Sequence, residues 1–242
     1  MTRANAAIGL VLVGLLLAIW HLGYIGGPLF DVRFAKHTAM SSKPRAVALY
    51  LSGDMGFHAG LGPKIAGGLS ENGVPVVGEN SLFFFRTRRT PEETGAMIAQ
   101  GLRRAMAVAP GAQLILIGQS FGADVVAPSL PYVPLALRRH IALVALIVPG
   151  ATRQWRASPS EIFSFNEPEE NAATAGRKLS WAPLLCIYGK EEETSLCPAL
   201  SQANAVRLML PGAHSLNHDP KPVRNALLHA IDRVLQRRNG KA

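Results

Sequence analysis

The stretch Gln113-Leu-Ile-Leu-Ile-Gly-Gln-Ser-Phe-Gly-Ala-Asp-Val-Val126 decides how the rest of the chain is read. A short apolar run over residues 113–117 has the character of a strand covered on both faces. It runs into Gly118-Gln119-Ser120-Phe121-Gly122, and a small-residue helical segment follows at once. In a G-x-S-x-G turn the glycines let the chain fold sharply from strand to helix, which thrusts the serine hydroxyl outward. The pentapeptide alone is a common chance pattern. Its strand-turn-helix context selects Ser120 as a candidate nucleophile, at the carboxyl end of a strand where open α/β sheets collect their chemistry.

On either side of this stretch, short apolar runs alternate with longer helical ones. The runs predict strands over residues 46–52, 74–78, 113–117, 141–148, 183–188 and 206–210. Segments 62–72, 91–108, 122–130 and 222–238 are long enough for crossover helices. Thr90-Pro91-Glu92-Glu93 has the signature of a helix start, with an N-cap threonine, Pro at the first position and Glu in the first turn. The class is α/β, with a mostly parallel central sheet carrying helices on both faces.

A serine hydroxyl needs a base held in one tautomer by a carboxylate, and both partners occur after later strands. Gly189-Lys190-Glu191-Glu192-Glu193 offers Glu192 as the acid, with Glu191 its nearest rival. Pro211-Gly212-Ala213-His214 offers His214 as the base, with His218 the alternative. Charge developing on a substrate carbonyl oxygen needs preorganised N–H donors. One is expected from the Phe121 amide, and a second from Asp54 or Met55 in Ser52-Gly53-Asp54-Met55-Gly56-Phe57. No phosphate-cradling, zinc or dinucleotide motif is present, and no metal or organic cofactor is expected.

The chain has 242 residues, 48% hydrophobic and 17% charged, with two cysteines and 25 Lys+Arg against 16 Asp+Glu, a formal charge of +9. That composition excludes a disordered chain and a small disulfide scaffold. The basic excess has no nucleic-acid motif beside it. Arg233, Arg237, Arg238 and Lys241 place part of it at the C-terminal end, where it suits an anionic membrane surface or simply a helix terminus. At the other end, Arg3 precedes an apolar stretch that Gly26-Gly27-Pro28 interrupts. Residues 1–30 read as a hydrophobic helix, either a signal peptide or an uncleaved inner-membrane anchor, followed by a linker over 31–44 and the main domain over 45–242. Residues 150–181, with Trp155, Phe163 and Phe165, are either a lid or a covering excursion, and Phe83-Phe84-Phe85 reads as core or sheet edge.

Several segments together resemble the bacterial virulence protein VirJ/AcvB family. They are Ser52-Gly53-Asp54, Arg89-Thr90-Pro91-Glu92-Glu93, the stretch from Ile117 to Asp124, Cys186-Ile187-Tyr188-Gly189, Ser195-Leu196-Cys197-Pro198 and Leu210-Pro211-Gly212-Ala213-His214. The resemblance implies an exported α/β-hydrolase fold with Ser120 as nucleophile. It also implies a periplasmic activity like that of AcvB-type members, which hydrolyse the aminoacyl ester of lysyl-phosphatidylglycerol. Ser215 departs from the family pattern, where a second histidine is usual, and so does Leu216-Asn217-His218-Asp219-Pro220.

A lysyl ester carries two ammonium groups, so Asp54 and Asp124 are the expected recognition residues. Cys186 and Cys197 flank the acid loop, and in an oxidising compartment they are expected to form a disulfide. The other readings are a lipase or esterase acting on another acyl ester, and a non-catalytic partner or chaperone of a secretion system. A monomer is expected.

Overall fold

The apolar runs assemble into one seven-stranded sheet. The computed structural model describes residues 3–34, 43–153, 155–157 and 170–239. In chain order its elements are α1 (Arg3–His21), β1 (Phe30–Arg33), β2 (Ala46–Leu51), α2 (Gly62–Glu71), β3 (Val76–Glu79), α3 (Ser81–Phe84), α4 (Pro91–Val108), β4 (Gln113–Gln119), α5 (Phe121–Ser129), α6 (Leu135–Arg138), β5 (Ile141–Ile147), β6 (Thr152–Arg153), β7 (Glu170–Asn171), α7 (Ala172–Arg177), β8 (Leu184–Gly189), β9 (Ala205–Leu210) and α8 (Pro220–Asn239). The sheet order is β1-β3-β2-β4-β5-β8-β9. Within this sheet all pairings are parallel except that of β1 with β3, and β6 and β7 pair antiparallel in a separate two-stranded sheet.

All six predicted strands and all four predicted helices form, with ends shifted by a few residues. β2 and β5 are apolar throughout because both their faces are covered. Val47, Leu49 and Leu51 join the α4/α5 layer, while Ala46, Ala48 and Tyr50 join the α2/α8 layer. At the head of α4 the Glu93 amide donates to Thr90 Oγ1 at 3.2 Å, and the Thr90 amide donates to Glu93 Oε2 at 2.9 Å, a reciprocal capping box.

Two expectations are corrected. Part of the segment read as linker is sheet: β1 pairs antiparallel with β3, with Phe30 buried under Arg104 and Asp31 bridged to Arg33 at 3.0 Å. Four residues with two charges give too short an alternation to show as a strand. Conversely, β9 is an edge strand and is not covered on both faces; Val206 and Met209 are exposed. The rest of the linker, at residues 35–42, lies outside the described residues, as do Phe163, Phe165 and Lys241. So does the middle of the excursion, at residues 158–169; its described flanks pack as a covering layer, with Trp155 buried in the core.

Most apolar side chains of α1 between Ile8 and Trp20 are exposed. Among the described residues no helix is long and apolar enough to cross a membrane. The helix leaves the body beside β3, where Asn80 Nδ2 donates to the Leu22 carbonyl at 3.2 Å and Arg86 Nη1 to that of Tyr24 at 3.4 Å.

Cys186 on β8 is disulfide-bonded to Cys197, with Cα atoms 5.5 Å apart, which closes the loop that carries the glutamate run. Closing a loop of this length stabilises the fold by about 3 kcal/mol in the chain-entropy account. The double variant Cys186→Ala/Cys197→Ala is therefore expected to show a clearly lower urea midpoint. Coincident midpoints for variant and parent would contradict a stabilising bridge.

Candidate active site

β4 ends at Gln119, and the next residue takes a backbone conformation that side chains rarely tolerate: Ser120 has φ 51° and ψ −123°. The surroundings over-determine this strained turn. Ser120's amide donates to the Ile147 carbonyl at 2.8 Å, and its carbonyl accepts from the amides of Ala123 at 2.7 Å and Asp124 at 3.1 Å. A Cβ on Gly118 would stand 2.6 Å from the Gly122 carbonyl oxygen, and one on Gly122 would strike the carbonyls of Leu51 and Ser52. The turn is thus pressed directly onto the end of β2. Behind it, the Phe121 ring meets the buried Phe85 edge-on, with centroids 4.8 Å apart and planes at 72°.

The acid and histidine loops are sewn to each other. Lys190 N–H donates to the Leu210 carbonyl at 2.8 Å and Glu191 N–H to that of Gly212 at 3.1 Å. Gly189 lies so close to the Gly212 and Ala213 carbonyls that no Cβ could be placed there. Past His214, three consecutive residues, Leu216, Asn217 and His218, have φ of 47°, 54° and 56°. Side-chain-bearing residues enter this left-handed region at a cost, here offset in part by burial of the Leu216 side chain.

These loops bring the three predicted side chains together. Ser120 Oγ is 2.8 Å from His214 Nε2, and His214 Nδ1 is 2.6 Å from Glu192 Oε1. Glu192 Oε2 accepts the Gly189 amide at 3.3 Å. The Glu192 side chain is only 5% exposed, whereas that of His214 is 54% exposed. Bonding to Glu192 raises the His214 pKa above the ordinary imidazole value; partial burial opposes this, and the charges of Glu192 and Asp54 add to it. Neither Glu191 nor His218 enters the hydrogen-bonded relay. Ser215 and His218 line the cleft in front of Ser120.

That cleft is about 270 Å³, and Asp54, Met55, Gln119 and Val148 also line it. Gly53 to Gly56 form a turn closed by the Gly56 amide on the Gly53 carbonyl at 3.0 Å. The amides of Asp54, Met55 and Phe121 donate to no described residue, so they are open to an oxyanion. Asp124 is not brought to the cleft: its Oδ1 accepts the Gly150 amide at 2.7 Å, which pins the loop after β5. Several cleft residues were given no role by the sequence reading, among them Gln119 and Val148. Gln119 holds its amide oxygen against Tyr50 Oη at 2.7 Å, and Val148, with φ 47°, turns the chain away at the end of β5. Val148 lies inside the strand predicted over 141–148, so nothing local marked it as a residue beyond the strand end. Among the described residues no group of His, Cys, Asp and Glu is placed to hold a metal ion.

Residues 45–235 match the model of the family described as bacterial virulence protein (VirJ). The chain belongs to that family. No curated protein matches the sequence. Among solved structures, this VirJ-family chain is similar to Est1E from Butyrivibrio proteoclasticus, with 13% identity, coverage of 86% of this chain and 93% of the other, and a TM-score of 0.58. It is also similar to an α/β serine hydrolase without lid from Xanthomonas campestris, with 20% identity, 84% and 88% coverage and a TM-score of 0.54. The esterase domain of a Rhodothermus marinus protein follows, with 16% identity, 81% and 88% coverage and a TM-score of 0.53. Likeness at this level establishes the α/β-hydrolase fold.

A base must be unprotonated to accept the serine proton, so activity is expected to fall as pH drops through the raised pKa of His214. Glu192→Gln removes the first cause of that shift. It should move the acid limb of the rate profile to lower pH and lower kcat by roughly 10³–10⁴-fold. An unmoved limb would remove Glu192 from the relay.

Proposed function

We propose that the protein is a serine hydrolase that cleaves the aminoacyl ester of an aminoacylated phospholipid, lysyl-phosphatidylglycerol being the first candidate. The observation that carries the hydrolytic reading is the continuous relay from Ser120 through His214 to the sheltered Glu192 carboxylate. Ser120 Oγ attacks the ester carbonyl while its proton passes to His214 Nε2, and Glu192 stabilises the resulting imidazolium. The oxyanion is met by the Phe121 amide and by that of Asp54 or Met55. Collapse expels the lipid alkoxide, which takes the proton from His214. Water then attacks the lysyl-Ser120 ester with His214 as base, and lysine leaves.

Three features support the substrate class. Asp54 is exposed on the wall of the cleft, and its charge reaches His214, so an ammonium group seated there meets a carboxylate. A volume of about 270 Å³ is at the small end for ligand pockets, and it suits an aminoacyl group better than paired fatty acyl chains. The exposed apolar side chains of α1 leave the body at Leu22, next to Asn80 and thus at the catalytic pole, which suits a cleft turned toward lipid. By contrast, Arg233 and Arg237 flank the first residues of β8 and β9, at the opposite pole. The disulfide accords with an oxidising compartment such as the periplasm.

The test is lysine release from phosphatidylglycerol vesicles that contain lysyl-phosphatidylglycerol, using the full chain. Wild type should release lysine, and Ser120→Ala should be at least about 10⁴-fold slower. Asp54→Asn should raise KM for a lysyl ester about fivefold, the scale of one exposed ion pair, and leave KM for a neutral ester of similar size unchanged. Hydrolysis of neutral esters with lysyl-phosphatidylglycerol left intact would favour an esterase of another substrate class. Equal changes in KM for the two esters would remove Asp54 as a recognition residue.

A further inference from the structure

Beneath the cleft lies a carboxyl group that the relay does not use. Glu79, the last residue of β3, is fully buried. Its Oε2 is 2.7 Å from Ser81 Oγ, and that hydroxyl is also 2.8 Å from the carbonyl oxygen of Ser52. Ser81 has one hydroxyl hydrogen for these two contacts. The Ser52 carbonyl can only accept, so when Ser81 donates to it, the short contact to Glu79 needs a proton from the carboxyl. An ionised Glu79 would compete for the same hydrogen and leave the buried Ser52 carbonyl unpaired, at a cost typical of unmet buried acceptors. Oε1 has no partner among the described residues, a position a neutral carbonyl oxygen tolerates far better than a carboxylate oxygen.

The bonds continue into the loop that carries the candidate oxyanion donors. The Ser81 amide donates to Ser52 Oγ at 3.0 Å, and Ser52 Oγ donates to the Gly53 carbonyl at 3.2 Å. Gly53 C=O and Asp54 N–H belong to one planar peptide unit. Fixing that carbonyl therefore fixes the direction of the Asp54 amide, beside a nucleophile whose Cβ lies 3.6 Å from the place a Gly53 side chain would take.

We propose that Glu79 is a positioning residue that works as a neutral carboxylic acid, donating its proton to Ser81 so that Ser81 and Ser52 hold the Asp54 amide in place for the oxyanion. The proposal rests on the serine-hydrolase reading of the cleft. Burial pushes the Glu79 pKa up to about 8, with the bonds from Ser81 and the Ser52 backbone opposing. Around β3 the other ionisable groups are Asp31 and Arg33 on β1, Tyr50 on β2, and Asp54 and His58 on the loop after β2. Lys64 and Glu71 on α2, Glu92, Glu93, Arg103 and Arg104 on α4, and Arg86, Arg88 and Arg89 between α3 and α4 complete the set. None of these charges is among the causes of the shift. The arrangement is intact below about pH 8 and is lost as pH rises through that value, where the acid ionises.

The test uses the full chain and p-nitrophenyl acetate, with the Ser120→Ala rate subtracted at each pH. Wild-type kcat should fall above about pH 8. Glu79→Ala should lower kcat roughly tenfold at neutral pH, part of what losing an oxyanion donor costs. Glu79→Gln, whose amide donates to Ser81 and never ionises, should recover that loss and abolish the alkaline fall. An alkaline fall unchanged in Glu79→Gln would overturn the proposal, whether or not Glu79→Ala folds. Infrared spectroscopy at pH 7 supplies a readout free of catalysis: a protonated-carboxyl band present in wild type and absent from Glu79→Gln. Absence of that band from wild type would overturn the proposal even in a protein that hydrolyses esters. Its presence in a protein without esterase activity would confirm the neutral acid and place the failure in the reading of the cleft.

Discussion

The constraint on which the active end depends is the contact between the Ser120 turn and the end of β2. Gly122 abuts the carbonyls of Leu51 and Ser52, and no side chain larger than hydrogen fits between them. This contact exists because the chain turns one way from β2 to β3 and then crosses back to β4 on the other side of β2. At such a switch point neighbouring loops diverge and leave a crevice beyond the strand ends. The nucleophile comes from one side of that crevice and the amides after Ser52 from the other. The strain in Ser120 is maintained by bonds on both its amide and its carbonyl, so the hydroxyl stands where the neighbouring strands direct it.

The histidine and the acid depend on a second contact of the same kind. Gly189 against the Gly212–Ala213 backbone lets two loops share hydrogen bonds that neither could make alone. The disulfide ties the far end of the acid loop back to β8, and the left-handed run Leu216–His218 does the same for the histidine loop through burial of Leu216. Flexibility is removed from both loops by packing and crosslinks, and the ring between Ser120 and Glu192 has little freedom left. The Glu79–Ser81–Ser52 chain extends the same logic to the donors of the oxyanion: a buried polar network joins the Gly56 amide in holding the Gly53 carbonyl, and with it the plane of the Asp54 amide.

Much of this was legible in the residues themselves. Continuous apolar runs marked the strands because a parallel sheet covered on both faces has no polar face to alternate with. Ser120, the glutamate run that holds Glu192, and the loop of His214 were legible because each follows a strand, in the order a nucleophile-elbow hydrolase uses. Other features were not. β1 is too short and too charged to read as a strand, and it is held by its pairing with β3 and the Arg104–Phe30 contact. Asp124 looks like a recognition group when placed only by its distance from Ser120, yet its carboxylate is taken by the Gly150 amide. Glu79 ends an ordinary-looking strand and gives no local signal, since its burial comes from what covers it.

The sequence by itself determined the order of the main strands and helices, the strand-turn-helix around Ser120 and the two later loops that supply the acid and the histidine. Those follow from local periodicity, from glycine spacing and from the chemistry that a serine nucleophile requires. The tertiary structure alone decided that Glu192 and not Glu191 meets His214, that Asp54 and not Asp124 faces the cleft, and that Glu79 lies sealed beneath it. Such choices depend on which loops pack together and which side chains they bury, and residues far apart in the chain acquire those relations only when the sheet brings them together.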